Sequence, residues 1–275
     1  MENKGSLYLV ATPIGNMEDI TLRAINVLKS VDIIAAEDTR HSLKLLNHLE
    51  ISKPLISYYR HNEDERSDIL IQKLLEGKDI AIISDAGTPG ISDPGEEIVK
   101  RCIEEEIKII PIPGACAMIT ALIASGLNTK EFTFYGFLPM NKKLRKAKLE
   151  EISKNKNTMI IYEAPHKLLT TLDDLKKYLN NRKITIAREL TKVHEEFIRG
   201  NIDDIEDNIA NVKGEFVLVI QGNEDPDDDI FSNMTLEEHF QYYVQKGLEK
   251  KEIVKAIAKD SKVNKNEIYK YFLDK

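Results

Sequence analysis

Residues 80–95 read IAIISDAGTPGISDPG, and this stretch decides how the rest of the chain is interpreted. It opens with a continuous apolar run of strand length, which is typical of a strand buried on both faces of a parallel sheet. Gly, Pro and short polar residues follow. Pro fixes the backbone, and Gly permits positive φ or a close approach. The composition therefore predicts an ordered loop that presents backbone groups and the Asp85 carboxylate to a ligand.

The same succession of apolar run and helical pattern recurs through the first half of the chain. Predicted strands are Leu7–Ala11, Ile33–Ala36, Leu55–Tyr58, Ile80–Ser84 and Ile107–Ile112. Predicted helices are Asp19–Lys29, Ser42–Leu49, Asp64–Glu76, Glu96–Glu106 and Ala117–Ala124. Alternation of this kind predicts βαβ crossovers and a mainly parallel sheet.

A second α/β block follows, with a different spacing of its strands. Its predicted strands are 132–137, 158–163, 184–189, 195–200 and 215–222, with helices near Leu144–Ser153 and His166–Tyr178. The last strands follow one another closely, which favours a mixed sheet. We expect an N-terminal α/β domain at 1–128, a C-terminal α/β domain at 129–222, an acidic linker at 223–234 and a helical tail at 235–275.

Loops rich in Gly and Pro follow three of the predicted parallel strands, at 11–16 (ATPIGN), 84–95 and 111–117 (PIPGACA). Ligands bind beyond the carboxyl ends of such strands, where the loops converge. The chain has neither the G-x-G-x-x-G nor the G-x-x-x-x-G-K-[ST] pattern of pyrophosphate sites. A ligand without a pyrophosphate is therefore expected, and S-adenosylmethionine meets that requirement.

Composition places the chain among water-soluble globular proteins of a reducing compartment. The two cysteines, Cys102 and Cys116, lie in apolar segments, which argues against a disulfide framework and a multi-cysteine zinc site. The N-terminus has neither a signal-peptide pattern nor a membrane span, so we expect a cytoplasmic protein without a bound metal. The formal net charge is −7, yet residues 141–156 and 241–275 are rich in Lys and Arg. Such basic segments suit a polyanionic partner, although ordinary solvated faces give the same pattern.

Eight segments together resemble one known family. They are LYLVATPIGN (7–16), AAEDTR (35–40), SDAGTPGISDPG (84–95), PIPGACA (111–117), FYGFLP (134–139), YEAPHK (162–167), ARELTK (187–192) and GEFVLVIQG (214–222). In this order they resemble the ribosomal RNA small subunit methyltransferase I family, a branch of the tetrapyrrole methylase superfamily. The resemblance implies a two-domain class III methyltransferase fold, usually a homodimer. It also implies 2′-O-methylation, from S-adenosylmethionine, of a 16S rRNA cytidine near the decoding site.

The resemblance also implies a cofactor pocket built from both domains. Its residues would be Pro13, Gly15, Asp85, Ala86, Gly87, Thr88, Ala115, Cys116, Tyr162, Glu163 and Ala187. Cys116 would line the pocket without a covalent role, and a core cysteine is the alternative.

Transfer to a ribose hydroxyl benefits from a general base, and carboxylates at strand ends are the candidates. Neighbouring Arg side chains could hold a phosphate or pair with those acids. The candidate catalytic residues are Glu37, Asp38, Arg40, Glu163, Arg188 and Glu189. For each acid, an ion pair with a neighbouring Arg is an equally plausible role.

RNA contact is assigned to the basic stretch Lys142–Lys148 and to the tail. The last two predicted helices of the tail resemble a helix-turn-helix pair. The candidate residues are Lys142, Lys143, Arg145, Lys146, Lys265 and Lys270. A helix bundle that packs on the body or on a second copy is the alternative for the tail. Two other functions remain possible at this stage: a tetrapyrrole C-methyltransferase of the same fold, and a DNA-binding regulator.

Overall fold

A computed structural model describes residues 4–210, 212–224, 231, 234–261 and 264–273. The chain divides into two compact units, the first extending to Gly222 and the second beginning at Asn223. Most of the expected acidic linker, 225–230 and 232–233, lies outside the described residues.

The first sheet of the N-terminal unit contains five parallel strands in the order β3-β2-β4-β1-β5. The strands are β1 (Ser6–Val10), β2 (Ile33–Ala36), β3 (Leu55–Ser57), β4 (Ile80–Ile83) and β5 (Lys108–Ile112). The helices between and after them are α1 (Leu22–Ser30), α2 (Thr39–His48), α3 (Glu63–Leu75), α4 (Glu96–Glu104) and α5 (Ala117–Ser125). The predicted parallel sheet is confirmed. Because β4 and β1 are adjacent at its centre, the loops after them emerge side by side at its carboxyl edge.

Several helices begin at residues that differ from the prediction, and for α1 and α2 the caps explain the difference. α1 begins at Leu22 because the Thr21 side chain accepts a hydrogen bond from the Ala24 N–H at 3.1 Å. α2 begins three residues earlier than expected, because the Asp38 side chain caps its first turn. Side-chain caps satisfy amides that have no partner within the helix.

The second sheet is mixed, as predicted, with the order β6-β7-β10-β8-β9. Its strands are β6 (Phe132–Phe137), β7 (Thr158–Glu163), β8 (Lys183–Arg188), β9 (Glu196–Asn201) and β10 (Phe216–Ile220). β6 and β7 are parallel and the other pairs antiparallel. The helices α6 (Lys142–Ile152) and α7 (Leu168–Tyr178) belong to this half. β10, the last strand in sequence, is buried at every residue between β7 and β8.

An apolar cluster joins the two sheets and sets the position of the site. Ala121 and Leu122 of α5 pack against the second sheet through Ile160, Val217 and neighbouring side chains. The same cluster includes Ile14, from the loop after β1. Burial of this apolar surface stabilises the contact between the halves. The carboxyl edge of the first sheet is thereby held against the second sheet.

In the part of the C-terminal unit that the structure describes, the α-helices are α8 (Leu236–Gln245), α9 (Lys250–Ser261) and α10 (Lys265–Leu273). α8 begins with a capping box in which Thr235 and Glu238 satisfy each other's backbone amides. The small apolar core of this unit includes Ile253, Ile257 and Ile268. Among the described residues, no helix combines the length and the apolar character that a membrane span requires.

Candidate functional site

The loops that follow β1, β4 and β5 are bonded to one another. The Thr12 N–H donates to the Gly87 carbonyl at 2.8 Å, and the Gly87 N–H returns a bond to the Thr12 carbonyl at 3.1 Å. The Thr88 hydroxyl donates to the Ala115 carbonyl at 3.1 Å. Gly87 has φ +81°, a left-handed conformation that favours glycine. The three loops therefore form one rigid structure at the carboxyl edge.

The loop after β1 also contacts the turn that leaves β8 in the second sheet. The Asn16 N–H donates to the Thr191 hydroxyl at 3.0 Å. A Cβ on Gly15 would lie 2.5 Å from the Lys192 Cγ and 3.1 Å from the Leu190 carbonyl oxygen. This approach leaves no room for a side chain, so the contact between the two sheets requires a glycine.

Between the sheets lies a cavity of about 420 Å³, called here the apolar cavity. Its volume is within the range of roughly 300–1,000 Å³ that is usual for small-molecule sites. None of the described residues that line it is Lys, Arg or His. The lining residues are Ile14, Ala86, Gly87, Thr88, Ile91, Ser92, Asp93, Cys116, Ala117, Phe137, Tyr162, Glu163, Ala164, Pro165, Leu190, Glu215, Phe216 and Val217.

Tyr162 connects the apolar cavity to the start of α5. Its hydroxyl accepts a hydrogen bond from the Met118 N–H at 3.1 Å, in the first turn of that helix. Its ring meets Phe134 and Phe137 edge to face, with ring centroids 4.8 and 5.8 Å away. Burial, with smaller contributions from Cys116 and other groups, raises the pKa of Tyr162 to about 12. The phenol therefore stays neutral near pH 7 and serves as a fixed wall.

A second cavity of about 300 Å³, called here the polar cavity, adjoins the first. The two share Ile14, Ala86 and Glu215 in their linings. The full lining of the polar cavity is Thr12, Pro13, Ile14, Gly15, Met17, His41, Ser42, Lys44, Leu45, Ser84, Asp85, Ala86, Lys192 and Glu215. It thus contains cationic side chains, which the apolar cavity lacks.

Three carboxyl groups cluster around the end of β4. Asp93 lines the apolar cavity, Asp85 lines the polar cavity, and Glu37 interacts with both. Burial, then the negative charges of Asp93 and Asp85, raise the pKa of Glu37 above its usual range. Burial also raises the pKa of Asp93, opposed by a hydrogen bond from Ser84. Among the described residues, no group of three or more His, Cys, Asp or Glu side chains is placed to hold a metal ion.

Asp38 and Arg40, two candidate catalytic residues, belong to the start of α2. The Asp38 carboxylate accepts the N–H groups of Arg40 at 2.8 Å and His41 at 3.4 Å. The Arg40 N–H bond is the largest of the effects that lower the pKa of Asp38. The Asp38 N–H in turn donates to the Asp85 carboxylate at 3.1 Å. Asp38 is thus engaged in positioning Asp85 and α2, while the Arg40 side chain is 90% exposed.

Glu163 is buried at the end of β7 and lines the apolar cavity. Its carboxylate accepts the Ala164 N–H at 2.9 Å and a hydrogen bond from the Thr171 hydroxyl. Arg145 donates to the same hydroxyl at 2.7 Å. Each carboxylate oxygen therefore accepts one hydrogen bond, and the two bonds fix the position of the Glu163 side chain.

The structure engages Arg188 and Glu189 in ion pairs beside the polar cavity. Arg188 pairs with Glu196 at 3.1 Å, and Glu189 pairs with Lys192 at 2.9 Å. Lys192 also contacts Glu215 at 3.0 Å. The hydrogen bonds from Lys192 and from the Glu215 N–H outweigh burial and lower the pKa of Glu189. The sequence left open an ion pair between each candidate acid and a neighbouring Arg, but Glu189 pairs with Lys192 and Arg188 pairs with Glu196.

The candidate cofactor residues divide between the two cavities. Gly87, Thr88, Cys116, Tyr162 and Glu163 line the apolar cavity, Pro13, Gly15 and Asp85 the polar one, and Ala86 both. Ala115 lines neither but binds Thr88, and Ala187 is fully buried within β8. Sequence reasoning gave no role to Asp93, Leu190 or Glu215. Asp93 lies in the loop at 84–95, and a carboxylate between two Gly- and Pro-containing turns is a sequence signal for a residue that lines a pocket.

The candidate RNA-binding residues differ in their surroundings. Lys142 and Lys143 are exposed at the start of α6, as are Lys265 and Lys270 on α10. Lys146 lies 3.8 Å from Glu150 in an exposed ion pair. Arg145 instead pairs with Asp174 at 2.8 Å and is largely buried, so α7 engages its guanidinium.

Comparison with known proteins places this site in a family. The family model for tetrapyrrole (corrin/porphyrin) methylases matches residues 6–206. The chain is 49% identical over 276 residues to a ribosomal RNA small subunit methyltransferase I of Halalkalibacterium halodurans, covering 98% of this chain and 96% of the relative. It is 49% identical over 271 residues to the protein of that name from Bacillus subtilis, covering 96% and 93% of the two chains.

A solved structure supports the fold. The uroporphyrin-III C-methyltransferase of Thermus thermophilus, complexed with S-adenyl homocysteine, superimposes with a TM-score of 0.56 at 15% identity. The match covers 79% of this chain and 97% of that one. Such low identity supports the fold alone, whereas the two relatives are similar over nearly their whole length. The chain therefore belongs to the tetrapyrrole methylase family and, within it, to the ribosomal RNA small subunit methyltransferase I family.

Proposed function

We propose that this protein methylates the ribose 2′-oxygen of a 16S rRNA cytidine near the decoding site, using S-adenosylmethionine. The cofactor occupies the apolar cavity and the target nucleotide the polar cavity. One observation carries the proposal: the two cavities adjoin, and Ile14, Ala86 and Glu215 line both of them. A methyl donor in one cavity is therefore adjacent to an acceptor in the other.

The chemistry of the apolar cavity suits S-adenosylmethionine. Ile14, Leu190 and Val217 offer apolar walls for an adenosine. Asp93 and Glu163 supply carboxylates, and the described lining has no cation to receive a phosphate. A ligand with positive charge and no phosphate is favoured by this environment. When bound, the cofactor supplies an electrophilic methyl group on a sulfonium whose departure leaves a neutral thioether.

The protein's own contribution is alignment. Hydrogen bonds fix the loops after β1, β4 and β5 to one another. Little reorganisation is then needed when the two substrates meet, and fixed geometry of this kind lowers the barrier to a displacement.

We assign proton acceptance to the pair Asp85 and Glu37. Asp85 lines the polar cavity, and the Asp38 N–H holds its carboxylate in place. Glu37 lies behind it, with its pKa raised first by burial and then by the neighbouring carboxylates. A carboxylate with a raised pKa is a better general base near neutral pH. With the cofactor bound, this pair would accept the proton of the ribose hydroxyl.

The cationic side chains of the polar cavity suit the phosphates of an RNA strand. His41 and Lys44 come from α2, and Lys192 from the turn after β8. Exposed Lys142, Lys143 and Lys146, with Lys265 and Lys270, supply further phosphate contacts elsewhere on the surface. Contacts of this kind give affinity that depends on salt but little on sequence.

A tetrapyrrole C-methyltransferase is the second candidate, because the matching family model and the solved structure carry that description. The relatives with almost half of their residues identical support the RNA substrate instead. A DNA-binding regulator has no support from either comparison.

A transfer assay separates the two enzymatic candidates. The purified protein is incubated with S-adenosylmethionine labelled in its methyl group and with either 30S subunits or uroporphyrinogen III. The 30S subunits come from cells that lack this protein. We expect label in 16S rRNA alone, and label in the tetrapyrrole alone would contradict the proposal. We also propose a cytoplasmic location and a homodimer, the latter testable by sedimentation equilibrium.

A further inference from the structure

The loop that follows β3, residues 58–62, has no role in the function proposed above. β3 is the edge strand of the first sheet and pairs with β2 in parallel. The loop therefore emerges at the same carboxyl edge as Glu37 and the start of α2. An exposed loop at this edge is accessible to a strand of RNA whose target nucleotide enters the polar cavity.

Buried anchors and internal hydrogen bonds hold this loop. Tyr58 is 1% exposed, and its hydroxyl donates to the Glu63 carboxylate at 3.1 Å. The Asn62 side chain accepts the Tyr59 N–H at 2.8 Å and donates to the Ser57 carbonyl at 3.3 Å. The backbone between Tyr59 and Asn62 is thereby closed into a turn. Side chains on a fixed turn lose little conformational entropy when a ligand binds.

Two contacts tie the same loop to the wall of the apolar cavity. The Arg60 guanidinium donates to the Ser92 carbonyl at 3.0 Å, and Ser92 lines that cavity. The Glu63 carboxylate, which binds Tyr58, also accepts the Gly95 N–H at 2.9 Å. The position of the loop is therefore fixed relative to the cofactor cavity.

The rings of this loop lie on its outer side. Tyr59 is 41% exposed, and His61 is also exposed. Their ring centroids are 6.5 Å apart and their planes differ by 70°, an edge-to-face pair. Because the two rings meet edge to face, their mutual contact covers a flat face of one ring at most. Arg40, in the first turn of α2 after the adjacent strand β2, has a side chain that is 90% exposed and lies 3.5 Å from the Asp38 carboxylate.

We infer that Tyr59 and His61 form a stacking platform for a nucleobase that flanks the target nucleotide, with Arg60 as a positioning residue. The inference rests on the proposed function and names a substrate contact within it. Proteins recognise single-stranded RNA by stacking its bases on exposed aromatic rings beside cations. The rigid turn, the exposed rings and the cationic Arg40 meet those requirements together.

Steady-state kinetics of the full-length protein test this inference. The variants are Tyr59→Ala, His61→Ala and the conservative Tyr59→Phe, with labelled S-adenosylmethionine and 30S subunits from cells that lack the protein. Loss of one stacking ring should raise KM for 30S subunits by about 5- to 100-fold and leave kcat near the wild-type value. Tyr59→Phe keeps the ring and should stay close to wild type.

Two controls separate stacking from support of the fold. His48→Ala removes an exposed histidine from the last turn of α2, at the opposite edge of the sheet, and should leave KM unchanged. Calorimetry with S-adenosylmethionine alone should give the same Kd for all variants. The inference is overturned if both alanine variants keep a KM within about twofold of wild type, or if their cofactor Kd rises as much as their KM. Absence of transfer to rRNA by the wild-type protein is a different result, because it overturns the proposed function itself and the inference with it.

Discussion

Substitution of Gly87 by alanine tests whether the bonded loops form the cofactor site. Gly87 has φ +81° and exchanges two backbone hydrogen bonds with Thr12. An added Cβ would lie 3.2 Å from the Ile14 Cγ2, close enough that Ile14 must shift by a few tenths of an ångström. Ile14 lines both cavities, so its shift changes the shape of the wall between them.

The magnitude of the effect follows from two contributions. The left-handed conformation costs an alanine roughly 1–2 kcal/mol, and the reduced entropy of the unfolded chain returns about 0.4–1 kcal/mol. The net loss of about 1 kcal/mol should lower Tm by roughly 2–4 °C for a chain of this size. The displaced wall should in addition raise the Kd for S-adenosylmethionine by at least about tenfold, or 1.4 kcal/mol.

Gly126→Ala provides a matched control. Gly126 has φ +80° at the end of α5, and no atom lies within 4 Å of the position its Cβ would take. It lines neither of the two cavities. Both variants should therefore lose similar stability in thermal unfolding, while calorimetry should show weaker cofactor binding only for Gly87→Ala. Equal cofactor affinity in the two variants would refute the assignment of this loop to the cofactor site.

Three further predictions concern the base, the tyrosine wall and the tail. Because the pKa of Glu37 is raised, the acidic limb of the pH profile of the single-turnover rate should lie above the usual carboxyl range. Glu37→Gln should move that limb to lower pH and lower the plateau. An unchanged pH profile would exclude Glu37 as part of the base. The raised pKa of Glu37 also means that its ionised form is less favourable in the folded chain than in the unfolded chain. Its contribution to stability is complete only below the unfolded pKa and is lost as the pH rises through the folded pKa. The same variant should therefore resist urea better at neutral pH. Tyr162→Phe removes the acceptor of the Met118 N–H and should cost about 1 kcal/mol in urea unfolding, whereas wild-type stability would show that this bond contributes nothing. Lys265→Ala and Lys270→Ala should each reduce the slope of log K against log salt for rRNA binding by about 1, and an unaltered slope would assign α10 to packing.

The fold was predictable because its signals are local. The apolar run at 80–83 and the turn residues after it identify a buried parallel strand without knowledge of what packs against it. Helix boundaries were predicted less well, since caps such as Thr21 and Asp38 decide them through one hydrogen bond each. Propensity alone does not show which of several polar residues makes that bond.

The site was predictable in outline, and its individual side chains were not. Strand order places Asp85 and Glu37 together at one edge, which the alternating pattern already implied. Arg145, a predicted RNA contact, pairs with Asp174, 29 residues away, because α6 and α7 pack side by side. Ala187, a predicted pocket residue, is completely buried between the antiparallel neighbours of β8. Such outcomes depend on tertiary contacts that no local pattern contains.

The polar cavity shows the same limit. Lys192 and Glu215 come from the second sheet, and they reach the cavity only because Gly15 allows the loop after β1 to approach the turn after β8. In the sequence, Gly15 and Glu215 are 200 positions apart. Their meeting follows from the contact between the sheets.

Mass mapping of ribose methylation in small-subunit rRNA, in cells with and without this protein, tests the central claim most directly. The claim is that a methyl group passes from a donor in the apolar cavity directly to a ribose 2′-oxygen in the polar cavity. The account predicts a 2′-O-methylcytidine that disappears with the protein, returns with the wild-type chain, and returns less completely with Gly87→Ala than with Gly126→Ala. An rRNA methylation pattern that is the same in both cells, or a lost methyl group that proves to be on a base, would contradict it.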